Sequence, residues 1–451
     1  MPPFRRDRAH PSATPPPYTN GWLWRRQHRR RSRRAGADGK KRDLPGDVLS
    51  AILSSVSSSA TDIVRCGATC SHSVNAVATH ADAISRSLPP PAQFLPHLAL
   101  GFFHQEARAP RASPVLPPRF VPTEAASRLL GPRPQLEHVA TGLFDHARPV
   151  ASRNGRVVLE LRREARADGL TLSVCNPMTG EISMLPPLSG DHCPGHYVCA
   201  ILTGDDLDVP APSCFFRVLL VYNRRSFTAL RSCSSADADA GVGCRWGPEE
   251  RKPGAKISAN MLRGLGHAVM VGGAAYWPMH HEAFGVRLDG PPSEPMDMCP
   301  VPYRQPHYYA GERLLGTSPD GKRLSLLDVG FLGCTDFCIN IETQTAAGGE
   351  WEGHEQARLK LISLPELGIT MTTAFKLRWF GEKSGTVIFT VGEGGGCTSQ
   401  GVFMLNITTG CLEKLADGVE CHAWKYLCGY EMDREALFAS SDRSVLTSRQ
   451  K

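Results

Sequence analysis

Residues 172–188 read LSVCNPMTGEISMLPPL: an apolar run, an Asn, a Thr-Gly step, then a second run ending in a proline turn. Thr-Gly between two short β-forming runs is hairpin punctuation, because glycine accepts the positive φ that tight hairpin turns require. Residues 403–418, FMLNITTGCLEKLADG, repeat the phrase with Asn406, Thr409 and Gly410 in the same places, and 283–302, AFGVRLDGPPSEPMDMCPVP, is a looser copy. Between and around these copies, from about residue 135, further β-rich runs alternate with turns: RPVASRNGRVVLELRR, FFRVLLVYN, HAVMVGGAAYWPM and SGTVIFTVG. A hairpin cannot cover both of its faces, so hairpins repeated over some 300 residues call for radial stacking. The expected architecture is a β-propeller-like domain over 135–440 with blades of roughly 40–50 residues. About six blades fit, starting near 145, 195, 265, 312, 372 and 422, the last with room for N-terminal residues to complete it.

The segment upstream has a different texture. Residues 43–56, DLPGDVLSAILSSV, place Leu44, Val48, Leu49, Ile52, Leu53 and Val56 on one side of a helix, with Pro45 at its first turn. DIVRCGATCSHSVNAV continues with Ile63, Val64, Cys66, Ala68, Cys70, Val74 and Val77 as the inward positions of two more short helices. The fold class expected is therefore α+β and multidomain: a short three-helix unit over 43–88, a proline-rich linker over 89–134, the all-β domain over 135–440, and a tail over 441–451. Residues 1–42 hold 13 Lys/Arg against two acids, while the remaining chain holds 38 against 42, so the net charge of +7 averages a basic tail and a mildly acidic body. The tail has no apolar periodicity and is expected to be disordered, serving as an import signal, a weak nucleic-acid contact or a solvated extension.

The 15 cysteines are odd in number and fall in no paired framework. With no secretory apolar stretch at the start and no run long enough to span a bilayer, they read as free thiols of a reducing compartment, cytoplasmic or nuclear. The sequon at Asn406–Thr408 then stays unmodified. GTSPDGKR at 316–323 approaches a phosphate-binding loop, but Arg323 stands where magnesium chemistry needs Ser or Thr, and Pro-Asp-Gly between β runs is a turn. The glycine-rich EGGGC and GVGCRWG lack dinucleotide-site spacing and read as blade loops. His192, Cys193, His196 and Cys199 are the densest set of possible zinc ligands, ahead of Cys66, Cys70 and His72 and of Cys334 and Cys338. None forms the matched pairs of a structural site, and the MHHE stretch at 279–282 lacks the spacing of a helical zinc motif. No metal and no cofactor is expected, and no catalytic residue stands out.

With both halves in view, the chain resembles F-box proteins of plants. Leu44-Pro45, Val48-Leu49, Ile52-Leu53 and Val56 match the start of an F-box, and Ile63-Val64 followed by Cys70 match its continuation, over about 45 residues. The sequence departs from that pattern at Val74, where a tryptophan is common, and at Ser71, where a basic residue is. CNPMTGEISMLPPL and GGAAYW resemble phrases of the F-box-associated β domains of plants. The resemblance implies a non-catalytic substrate-recognition subunit of a Skp–cullin–F-box ubiquitin ligase. Leu44, Pro45, Val48, Leu49, Ile52, Leu53, Ile63, Val64 and Cys70 would then meet a Skp-type adaptor, which docks on a cullin, and the β domain would hold an unknown protein target. No membrane partner is expected, and nucleic acid is not expected to be a partner on this reading. Blade loops bearing aromatic and basic side chains are the candidate target surface, namely WPMHHE and the stretch with Tyr303, Arg304, Tyr308 and Tyr309. Three other classes stand beside this reading: a propeller scaffold whose F-box has degenerated, a propeller enzyme with polar groups converging on its axis, and a nucleic-acid binder using the arginine-rich tail.

Overall fold

The structure, a computed structural model, describes Trp22, Val48, Ile52 and Ile63 singly, and residues 71–88, 93–105, 118–130, 147–161, 169–207, 214–235, 244–290, 296–303, 313–332, 336–344, 360–394, 397, 399–424 and 426–440. Its strands form six antiparallel sheets. The first strands in the chain, Ala99–Gln105 (β1) and Arg119–Pro122 (β2), belong to the last sheet. Blade 1 consists of Arg148–Arg153 (β3), Arg156–Leu161 (β4), Thr171–Asn176 (β5) and Glu181–Met184 (β6). Blade 2 has Tyr197–Thr203 (β7), Phe216–Asn223 (β8) and Thr228–Ser234 (β9), with the short Arg245–Trp246 (β10) and Glu250–Arg251 (β11) both pairing to β9. Blade 3 has Val269–Val271 (β12), Ala274–Pro278 (β13), Glu282–Arg287 (β14) and Val301–Pro302 (β15). Blade 4 has Leu314–Thr317 (β16), Leu324–Leu332 (β17), Asp336–Thr343 (β18) and Lys360–Ser363 (β19). Blade 5 has Phe375–Gly381 (β20), Thr386–Val391 (β21), Gly401–Asn406 (β22) and Leu412–Asp417 (β23). Tyr426–Glu431 (β24) opens blade 6, pairs with β1, and β1 pairs with β2.

The first strand of each blade lies innermost. β3 touches β7, β12 touches β16, β16 touches β20, β20 touches β24, and β24 returns to β3, which closes the ring. Between blades 2 and 3 the contact runs through β13 and a short helix, Ala259–Gly264. Middle strands are apolar along their whole length because each blade is packed on both sides: β8 is buried at every residue but its last, and β21 at every one. Outer strands face water on one side and read accordingly, with β23 carrying Glu413, Lys414 and Asp417 on a half-open edge that charge keeps from pairing with other chains.

The repeated phrase folds the same way twice. In blade 1 the Asn176 Oδ1 accepts from the Met178 and Thr179 amides at 3.0 and 3.4 Å, and the Gly180 amide donates to the Asn176 carbonyl at 2.7 Å. In blade 5 the Asn406 Oδ1 accepts from the Thr408 and Thr409 amides, each at 2.9 Å, and the Gly410 amide donates to the Asn406 carbonyl at 2.8 Å. Gly180 and Gly410 have φ of 82° and 73°, the left-handed backbone the turn needs. GTSPDGKR is likewise the hairpin between β16 and β17, with the Gly321 amide donating to the Ser318 carbonyl and the Lys322 amide to Asp320.

Two expectations about the N-terminal part need correction. Residues 89–134 are not simply a linker: β1 and β2 are two of the three strands of blade 6, and Glu124–Leu130 forms a helix against them. Phe102 and Phe103 pair with Gly429 and Cys428, so apolar burial and a backbone ladder outweigh the flanking prolines. Within the segment expected to be a disordered tail, Trp22 is helical and 5% exposed. Its ring lies 5.1, 5.8 and 6.4 Å from those of Phe120, Tyr430 and Phe103, and its amide donates to the Pro177 carbonyl.

The helices Ser71–Thr79 (α1) and Ala81–Ser87 (α2) pack on the C-terminal helix Arg434–Ser440. Ile63, Val77, Ala81 and Ile84 share one core with Phe438, Tyr430, Phe103, Val157 and Leu159, so this helical unit is welded to the seam of blades 6 and 1.

Candidate functional site

Since every blade begins at its inner strand, the starts of the six inner strands gather at one end of the axis and their ends at the other. The two ends differ in charge. At the closing end Arg153, last residue of β3, is paired with Asp206 and Glu382, and its Nε donates to the Asp206 Oδ2 at 2.9 Å. Asp206 also accepts from the Thr203 amide and hydroxyl, and Glu382 from the Met270 amide at 3.0 Å. Glu431 accepts from the Ser384 amide at 2.6 Å. The group thus ties blades 1, 2, 3, 5 and 6. Arg153 holds the Asp206 carboxyl below its ordinary range against the effect of burial, while burial pushes the Glu382 and Glu431 carboxyls up. At 6, 5 and 10% side-chain exposure, Arg153, Asp206 and Glu382 form a buried structural plug.

The opening end holds a cavity of about 320 Å³. One wall comes from the helix Ala259–Gly264 and the residues after it, where Met261 and Leu265 give an apolar surface. Pro278, Met279 and His280, at the turn after β13, form a second wall, and Arg313–Leu314 and Leu377–Arg378 from blades 4 and 5 close the ring. The lining contains two arginines and a histidine and no carboxylate.

The Arg378 Nε donates to the Thr390 hydroxyl at 3.1 Å and its Nη2 to the His422 carbonyl. Among the described residues its bonds run through Nε and Nη2 to these neutral acceptors, which leaves Nη1 without one. Burial pulls the Arg378 guanidinium down to about 10, still fully charged at neutral pH. Arg313 rests over the Tyr303 ring at 5.0 Å, and burial outweighs the attraction of Tyr303 and Asp328 in lowering it. Burial and the charges of Lys376 and Arg378 hold His422 down to about 4, and Lys376 is lowered by burial and by Arg378. Further round the mouth, Arg148 sits 4.3 Å over the Tyr426 ring, although its charge is answered by Glu160. Such a cavity attracts an anion and gives its apolar part a surface to lie on.

The residues anticipated from sequence distribute unevenly. Pro278, Met279 and His280 of the WPMHHE stretch do line the cavity. Tyr303 does not present itself to solvent: it is 8% exposed, packed among Val269, Tyr276 and Leu324, and acts as the platform beneath Arg313. Arg304, Tyr308 and Tyr309 lie outside the described residues. Of the helical set, Val48 and Ile52 are helical and leave 41% and 42% of their surfaces exposed. Ile63 is fully buried in the chain's own core and so is not available to a partner. Leu44, Pro45, Leu49, Leu53, Val64 and Cys70 lie outside the described residues. Cys199 is buried between blades 1 and 2, Cys193 is half-buried, and among the described residues no three His, Cys, Asp or Glu side chains converge as metal ligands would. No sequence motif marks Arg313, Arg378, Met261 or Leu377. Each is a single residue, and only ring closure brings them together.

Residues 119–437 match the family described as "Domain of unknown function (DUF7595)". No curated protein matches the chain. Among solved structures, an α-L-arabinanase from Penicillium chrysogenum complexed with arabinobiose is similar at 12% identity, covering 64% of this chain and 82% of that one with a TM-score of 0.32. A functionally unknown protein from Desulfotomaculum acetoxidans is similar at 9% identity, 73% and 99% coverage and TM-score 0.35. An apocarotenoid oxygenase from Synechocystis is similar at 10% identity, 72% and 80% coverage and TM-score 0.32.

Proposed function

Because the chain belongs to the DUF7595 family and its described residues fold as a six-bladed β-propeller, a framework suited to protein interaction, we propose that it is a non-catalytic substrate-recognition subunit of a Skp–cullin–F-box ubiquitin ligase. The observation that carries this reading is the pair Val48 and Ile52. Each lies in helical backbone and remains about two-fifths exposed, while Ile63 is sealed in the core. Covering the exposed parts of both side chains contributes on the order of 2 kcal/mol. A Skp-type adaptor is the partner the F-box resemblance assigns to these two residues. The propeller then holds a protein target, and tethering raises the effective concentration of target lysines near the ubiquitin thioester carried by the cullin complex. The expected setting is the cytoplasm or the nucleus.

A second reading, a propeller scaffold whose F-box no longer engages an adaptor, draws on the way α1 and α2 are welded to the propeller seam. Affinity purification of the full chain followed by mass spectrometry separates the two. Recovery of both a Skp-type adaptor and a cullin supports the ligase reading. Recovery of neither, while other proteins are retained, contradicts it and favours the scaffold.

A further inference from the structure

The axial cavity carries an inference that stands with or without the ligase reading. Two guanidinium groups from different blades, Arg313 and Arg378, reach one space of about 320 Å³; Arg313 is answered in part by Tyr303 and Asp328, and the bonds of Arg378 go to a hydroxyl and a carbonyl. Arg153 is matched by the carboxylates of Asp206 and Glu382 and Arg148 by that of Glu160, whereas the acceptors at Arg378 are neutral, the Thr390 hydroxyl and the His422 carbonyl. A half-buried cation with a donor unused is costly unless something supplies the missing charge. Nearby cations increase the demand, since Lys376 approaches Arg378. In the same lining, Met261, Leu265, Met279 and Leu377 offer an apolar surface that a simple inorganic ion leaves uncovered. The volume is at the lower end for a small-molecule pocket and too small for a folded element.

We propose that this cavity is a binding site for a small organic anion, a ligand with an apolar body of roughly eight to twelve non-hydrogen atoms and one carboxylate-type group. The anionic group bridges the Arg313 and Arg378 guanidiniums, accepting from the unused Nη1 of Arg378, and the body lies on Met261, Leu265 and Leu377. Charge-assisted bonds from guanidinium to carboxylate are the stronger class of hydrogen bond, so the charge is worth at least tenfold in affinity over a neutral ligand of the same shape.

The test is calorimetric titration of the full-length chain with octanoate, 1-octanol and inorganic phosphate. Octanoate is expected to bind at least tenfold more tightly than either of the others. Arg313→Leu and Arg378→Leu should each lower octanoate affinity to about that of 1-octanol while leaving 1-octanol unchanged. Arg378 also holds Thr390 and the His422 carbonyl, so a third variant keeps the test independent of its folding role. A Cβ added at Gly266, which lines the cavity, meets nothing within 4 Å, so Gly266→Leu fills the space and should abolish binding of octanoate and 1-octanol alike without lowering the melting temperature. Equal affinity for octanoate and 1-octanol, absence of octanoate binding, or octanoate affinity unchanged by Gly266→Leu overturns the proposal.

Discussion

Replacing Arg153 with Met tests whether the polar plug at the closing end of the axis holds the ring together. Arg153 is buried and carries the charge opposite Asp206 and Glu382, with Glu431 close by. Met matches the aliphatic stem and removes the charge. The surviving carboxylates keep only their bonds to the Thr203 and Met270 amides and the Thr203 hydroxyl. Removing one partner of a buried ion pair typically costs about 3–5 kcal/mol, and that loss is expected at about pH 8. The pH dependence follows from the three carboxyls. Asp206, held low by Arg153, adds stability above its ordinary value near 4 that is lost as pH falls through its folded value. Glu382 and Glu431, pushed up by burial, favour the folded state while protonated and lose that contribution as pH rises. Without Arg153 all three behave in the second way, so the deficit should shrink to about half at about pH 5. Urea denaturation followed by tryptophan fluorescence at the two pH values measures this, and adding Asp206→Asn and Glu382→Gln to the variant should recover most of the loss. A variant within about 1 kcal/mol of the parent at about pH 8, or a deficit that does not change with pH, would mean that Arg153 does not hold the plug together.

Two further outcomes are expected. Trp22→Ala should destabilise the propeller by about 3–5 kcal/mol, read as a lower midpoint in the same denaturation, because the ring fills the aromatic cluster of Phe103, Phe120 and Tyr430; an unchanged midpoint would mean the residue does not pack there. His104 is buried against the Trp424 ring at 3.8 Å and held down to about 4 by burial and by Arg119, so the unfolded chain binds its proton first and stability falls as pH drops from about 6.5 to 4. His104→Phe keeps the stack and should flatten that limb by about 2–3 kcal/mol, which a pH series of melting curves would detect.

The blades were legible because their signals are local. Starts expected near 145, 195, 265, 312, 372 and 422 lie within a few residues of Arg148, Tyr197, Val269, Leu314, Phe375 and Tyr426. Asn176 and Asn406 build the same turn from residues next to them in the chain, so reading one predicts the other. That N-terminal residues complete blade 6 was expected and holds, but which residues do so was not legible from local pattern. The seven residues ALGFFHQ of β1 were a visible apolar run, but their ladder partner lies some 320 residues away, and nearby prolines argued for a linker. Trp22 was obscured in the same way by the arginines around it. The cavity left no trace, because Arg313 and Arg378 sit in ordinary strand sequence and meet only after the ring has closed.

On the proposed reading, Val48 and Ile52 are covered by another polypeptide. Val48→Asp with Ile52→Asp places charge at two exposed positions, outside the propeller core. Titrating a purified Skp-type adaptor into the parent and double-variant chains by calorimetry, with their melting temperatures compared, tests the claim most directly. Measurable binding by the parent is expected, with at least a hundredfold weaker binding by the variant, as for charge placed in the apolar centre of an interface, and equal melting temperatures. Equal affinities for parent and variant, or no binding by the parent, would contradict that reading.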